Sequence, residues 1–147
     1  MVSQPNNPCP FCEIVCREDP DVREIYRDPN VVAFFPTEPA TLGHTLVVPR
    51  RHISDIWGMS EAEACQIAVA TMRIATAVRS ALDPDGMNII QSNGEAATQT
   101  VFHLHVHVVP RWMDDSLGRI WPPETNYSDR EKDWALEKVR EELRKDK

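Results

Sequence analysis

Val101-Phe102-His103-Leu104-His105-Val106-His107-Val108-Val109 is the stretch on which the fold turns. Apolar residues alternate there with three histidines. Successive side chains of an extended strand point to opposite faces, so the spacing predicts a strand over Val101 to Val109. Phe102, Leu104, Val106 and Val108 would face a core, and His103, His105 and His107 would share the other side. Three imidazoles packed together without polar partners would be costly, so that second side must line a polar site.

Two chemistries suit such a row. Neutral imidazoles can converge on one metal ion. Alternatively, one ring nitrogen attacks phosphorus while its neighbours hold the anionic oxygens and fix the tautomer. The upstream run Asn93-Gly94-Glu95-Ala96-Ala97-Thr98-Gln99-Thr100 favours the second. It offers amides and hydroxyls of the kind that cradle phosphate oxygens, and Glu95 is its one carboxylate.

Further out, Ile25-Tyr26, Val31 to Phe35, Thr45 to Val48 and Met87 to Gln91 read as short strands. Asp28-Pro29-Asn30 supplies a turn between the first two. The clearest helix runs from about Glu61 to Leu82, opened by a Ser60/Glu63 capping box. Its buried stripe is expected at Ala64, Ile67, Ala68, Thr71, Ile74, Ala75, Val78 and Leu82. A second box, Ser128 with Glu131, opens a C-terminal helix from about 129. Cys9 to Arg17 forms a short helix or a knuckle. The fold class is therefore α+β: an antiparallel sheet of about five strands with helices packed on one side. A flexible tail over 1–8 precedes a single domain over 9–147.

Composition narrows the function. The 147 residues are 41% hydrophobic and 27% charged, with a net charge of −7. Nonspecific binding along a nucleic-acid polymer needs a basic field, so that class is excluded, while a local basic pocket for a small anion is not. Arg50, Arg51, His52 and Arg111 are the basic residues around the histidine blocks. No apolar run is long enough for a membrane span, and the polar start lacks a secretion signal, so the expected location is the cytoplasm. Cys9, Cys12 and Cys16 are spaced for metal more than for disulfides, and Cys65 reads as a core residue of the long helix.

Thr98-Gln99-Thr100-Val101-Phe102, followed by His103-Leu104-His105-Val106-His107-Val108-Val109, resembles the signature of the histidine triad (HIT) family. Gly43-His44-Thr45-Leu46-Val47-Val48-Pro49-Arg50-Arg51-His52 resembles that family's other block, in the expected order. The resemblance implies a nucleotide hydrolase or transferase acting at the α-phosphate of nucleoside phosphoramidates or dinucleoside polyphosphates. His105 would be the nucleophile that forms a nucleotidyl-histidine. His107 would bind phosphate and orient His105, with His44 supporting the far side. Gln99 and Thr100 fall where the family contacts phosphate and leaving group, and Asn93 where it braces that pocket. Ile14, Phe34 and Phe35 are candidates for the pocket of a purine base. The family also implies a homodimer and no organic cofactor.

Cys9-Pro10-Phe11-Cys12 resembles a knuckle in part of this family in which a structural zinc is completed by His52 and His103; Cys16 could compete as a ligand. Three departures stand out. Pro36 occupies the place of an Asp that grips the ribose, leaving Glu38 as the substitute. Thr98 stands where Gly is common. The segment after Pro110 is long and aromatic. The first two keep open a nucleotide-binding protein with little or no turnover. A hydrolase with all three triad histidines on one catalytic ion is the remaining reading.

Overall fold

The computed structural model describes residues 8–146. The flexible tail expected at the N-terminus therefore lies outside the described residues apart from Pro8, as does Lys147. The chain divides into two units, one ending at Leu117 and one beginning at Gly118.

In the first unit, α1 (Pro10–Cys16) precedes β1 (Glu24–Arg27), β2 (Val31–Phe34) and β3 (Thr45–Pro49). A 3-10 turn at Ile56–Gly58 leads into α2 (Glu61–Leu82), β4 (Gly86–Gln91), a second 3-10 turn at Glu95–Ala97, and β5 (Val106–Arg111). The five strands form one sheet in the order β1-β2-β3-β5-β4, with every neighbouring pair antiparallel. The expected sheet is thus present.

β2 is apolar without interruption, β3 is apolar after Thr45, and every residue of both is buried. Strands of that composition are covered on two faces, not one. On one face Val31, Ala33, Val47, Val106 and Val108 pack against Ile67, Ala70, Ile74 and Val78 of α2. On the other, Val32, Phe34, Leu46 and Val48 pack against Phe11 and Val15 of α1. The expectation of helices on one side is corrected accordingly: α1 closes the second face. Arg27 holds it there, donating from Nη1 to the Val15 carbonyl at 2.9 Å and from Nη2 to Ile14 at 3.1 Å, the otherwise unpaired acceptors of a helix end.

α2 has the expected start, with Ser60 accepting from the Glu63 amide and Glu63 reaching back to Ser60. Its stripe differs in detail, because Ala70 is buried while Ala68 and Cys65 are exposed. Cys65 is therefore a surface residue, lying on the helix face turned away from the sheet. Gly43 must stay without a side chain: its φ is +87°, and a Cβ there would collide with Leu82 Cδ1.

The second unit contains α3 (Asp129–Lys145), opened by the Ser128/Glu131 box with both hydrogen bonds present. None of its residues is buried. Among the described residues, no helix is long and apolar enough to cross a membrane.

Candidate active site

β5 begins only at Val106, so the expected strand over Val101 to Val109 is half realised. The physical reason is where the backbone bonds go. Leu104 N–H donates to the Ile53 carbonyl at 2.6 Å, outside the sheet, and the chain enters the β3 ladder only when Val106 faces Val47. Phe102, expected in the core, is 46% exposed, whereas His103 and Leu104 are both wholly buried. Of the three histidines only His107 stands on the strand, opposite Leu46 and thus on the face that α1 covers.

The histidines nonetheless form a connected row whose tautomers the backbone dictates. Ala40 N–H donates to His44 Nδ1 at 3.0 Å, so in the neutral ring the hydrogen sits on Nε2. His44 Nε2–H then donates to His107 Nδ1 at 2.9 Å, which leaves the hydrogen of His107 on Nε2. The His107 ring lies 4.8 Å from that of His105, centroid to centroid. His105 Nδ1–H donates to the His103 carbonyl at 2.8 Å. Its Nε2 is thereby left as a lone pair. Among the described residues the one buried side-chain polar atom without a partner is Thr71 Oγ1, so His105 Nε2, which has no protein partner, keeps contact with solvent.

Burial lowers the pKa of His44, His103 and His105, and pushes His107 down to about 4, with His105 and His44 adding to the effect. All four rings are thus neutral near pH 7, the state in which an imidazole nitrogen is a nucleophile or a ligand.

A second cluster adjoins the row. Ligand atoms of Cys9, Cys12, His52 and His103 lie within 4.8 Å of one another. His103 Nε2–H donates to the Pro49 carbonyl at 2.8 Å, which turns an unprotonated Nδ1 toward the sulfurs of Cys9 and Cys12, each 3.5 Å away. Cys12 Sγ is 3.2 Å from His52 Nδ1. Two thiols and two imidazoles, one of them oriented by an outer carbonyl, fit a tetrahedral zinc. Without an ion, burial and the neighbouring thiol push the Cys12 thiol up to about 11. Cys16 is exposed and outside the cluster.

The loop before the row is braced from within. Gln99 is buried; its Oε1 accepts from Gly94 N–H at 2.8 Å, and its Nε2 donates to the carbonyls of Ser54 and Val101 at 2.7 and 3.2 Å. Asn93 Oδ1 accepts from Ile56 N–H at 2.7 Å and from Gln91 Nε2 at 2.9 Å. Thr100 is exposed beside them. Thr98 adopts a left-handed backbone, φ 67° and ψ 22°, at the position where Gly is common in the resembled signature. Phe34 is buried, Phe35 and Ile14 are half-buried, and Glu38 is exposed. Arg51 pairs with Glu63, and Arg111 with Asp115, so neither is aimed at the row.

Phe11 is the site residue that the sequence reading passed over. Its ring meets His105 edge to face at 5.1 Å and Phe34 at 5.5 Å. The signal was available: Phe11 lies between the two cysteines of a knuckle whose ligands include a triad histidine.

This geometry defines a class, an α+β domain with a histidine row at the mouth of its fifth strand and a Cys/His cluster beside it. Residues 17–113 match the HIT domain, and the chain belongs to that family. Protein hit of Bacillus subtilis is 39% identical over 114 residues, covering 77% of this chain and 78% of that protein. A zinc-bound histidine triad family protein from Mycobacterium smegmatis superimposes with a TM-score of 0.70 at 40% identity, over 88% of this chain and 89% of that one. Adenylylsulfatase HINT3 of Arabidopsis thaliana is 30% identical, and the match spans 77% of this chain and 60% of that protein.

Proposed function

We propose that the protein is a nucleotide hydrolase or transferase that acts at an α-phosphate through a nucleotidyl-His105 intermediate. The observation that carries this reading is the His105 ring: Nδ1–H is held by a peptide carbonyl, and Nε2 is left as an unprotonated nitrogen in contact with solvent. In the first step Nε2 attacks the α-phosphorus. A P–N bond forms, and the bond to the leaving group breaks with its electron pair departing on that group. Water or another acceptor then attacks phosphorus, releasing its proton to solvent as the P–O bond forms, and the P–N bond breaks to restore the lone pair on Nε2. His107 Nε2–H, fixed by the relay from Ala40 through His44, donates to a phosphate oxygen and favours the charge that develops there. Gln99 and Asn93 hold the loop that ends beside the row, leaving Thr100 and loop amides to meet the phosphate. The base lies toward Ile14, Phe34 and Phe35, and an adenylyl group is consistent with the activity named for the Arabidopsis relative.

Zinc on Cys9, Cys12, His52 and His103 would supply structural cross-linking, tying α1 to the segment before β5. The second reading, a nucleotide binder with little turnover, draws on the strained backbone at Thr98 and on the absence of a side-chain donor or acceptor at Pro36.

Mass spectrometry of enzyme quenched after brief exposure to an adenosine phosphoramidate or a diadenosine polyphosphate separates the two. A nucleotidyl adduct in the wild type that is missing in His105→Asn, together with loss of turnover, is the expected result. Binding with no adduct favours the second reading, and unchanged turnover in His105→Asn removes the first.

A further inference from the structure

His103 belongs to two structures at once. Its ring stands in the Cys9/Cys12/His52/His103 cluster, with Nδ1 toward Cys9 and Cys12 and Nε2–H fixed on Pro49. Its peptide carbonyl accepts from His105 Nδ1–H at 2.8 Å, the one hydrogen bond that sets the tautomer and rotation of the His105 ring. The same knuckle supplies a second constraint. Phe11, between Cys9 and Cys12, has its ring 6.0 Å from His103 and 5.1 Å from His105, edge to face with the latter at 89°. His105 is thus held on two sides by groups that the cluster anchors: the backbone carbonyl of a cluster histidine, and an aromatic ring flanked by two cluster thiols.

We propose that the Cys9/Cys12/His52/His103 site is a positioning device for His105, so that metal occupancy controls the tautomer and aim of the nucleophile as well as joining α1 to the sheet. The inference rests on the reading of His105 as nucleophile, although the coupling itself is a property of the rings and stands apart from the chemistry. His103 and Phe11 are positioning residues in this account. Residues that act behind a first ligand shell typically change affinity or rate by about 10- to 100-fold when disturbed. Without the ion, the link between the thiols and His103 is reduced to two long contacts of 3.5 Å to Nδ1, weaker than coordinate bonds. Its ring then keeps the Pro49 hydrogen bond and the packing of His52 and Phe11 but no coordinate bond, and the carbonyl that steers His105 is held less firmly.

The test compares zinc-loaded protein, the same protein stripped with a chelator, and His52→Ala, which removes the exposed ligand while leaving His103, His105 and the knuckle intact. On each, far-ultraviolet circular dichroism reports the fold, and NMR of ring-labelled histidines reports the His105 Nδ1–H. The single-turnover rate of nucleotidyl transfer reports the chemistry. The expected result is a retained sheet signal and loss or splitting of the His105 Nδ1–H resonance. The single-turnover rate falls about 10-fold or more, with nucleotide KM little changed, and both ring signal and rate return on adding zinc to the stripped protein. A metal-free protein with a single unshifted His105 resonance and full rate overturns the proposal. So does collapse of the fold in both the stripped protein and His52→Ala, which makes the metal a folding ligand only. If the ring resonance follows the metal while the loaded protein forms no adduct, the coupling stands and the proposed chemistry falls.

Discussion

Thr98 carries a left-handed φ of 67° with a β-branched side chain, a combination that costs about 1–2 kcal/mol relative to glycine's freedom there. Thr98→Gly is expected to raise stability by about 1 kcal/mol, after allowing for the greater chain entropy glycine loses on folding. Thermal or urea unfolding reads this directly, and a lower KM for nucleotide in the same variant would mark relief of crowding at the phosphate. His107 gives a pH signature of known sign. Its folded pKa is pushed down to about 4 from an ordinary 6.5, so the folded state resists a proton that the unfolded chain accepts. Stability from this group is complete above 6.5 and drains away as pH falls toward about 4. Melting temperatures measured down that range should decline in the wild type and decline less steeply in His107→Gln. Residues also show where sequence pattern stops being informative. Strict alternation assigns Leu104 and Phe102 alike to the core, yet one is wholly buried and the other 46% exposed. The difference lies in the Leu104–Ile53 hydrogen bond, a long-range pairing that local periodicity cannot register.

At the scale of elements, α2 was the easiest to read. Its start is written in Ser60 and Glu63, and its face in a 3.6-residue stripe, both local signals. The capping box does more than end-satisfaction here, since Glu63 also pairs with Arg51, and these partners draw its pKa down to about 2. Ser60→Ala is expected to cost about 1 kcal/mol, measured by urea unfolding with unchanged slope. α1 was harder, because seven residues carry too little periodicity to say which side of a sheet they cover. The missing clue was compositional: Val31-Val32-Ala33-Phe34 has no polar position, so β2 needed a partner on each face. The metal-type cluster was legible in part: the close spacing of the cysteines points to metal, whereas His52 and His103 follow only from the family resemblance, and Phe11 was hidden by being an ordinary aromatic.

For the whole molecule, the homodimer implied by the family resemblance has a candidate surface. Among the described residues β4 is the last strand of the sheet and pairs with β5 alone, and Ile89 on it is 51% exposed. Val69 and Met72 of α2, 45% and 62% exposed, add apolar area of the kind that protein contacts use. If two copies join there, Met72→Glu should shift sedimentation toward a single chain, with the circular dichroism of the folded protein retained. An unchanged sedimentation coefficient in a dimeric Met72→Glu would place the contact elsewhere.

Two fully covered strands leave little room for change. Neither β2 nor β3 has a position open to water, so a new side chain there meets packed atoms whichever way it points. An engineer seeking a different base or leaving group would therefore do better to diversify the connecting loops around 35–42, 53–58 and 93–100, and leave the sheet alone.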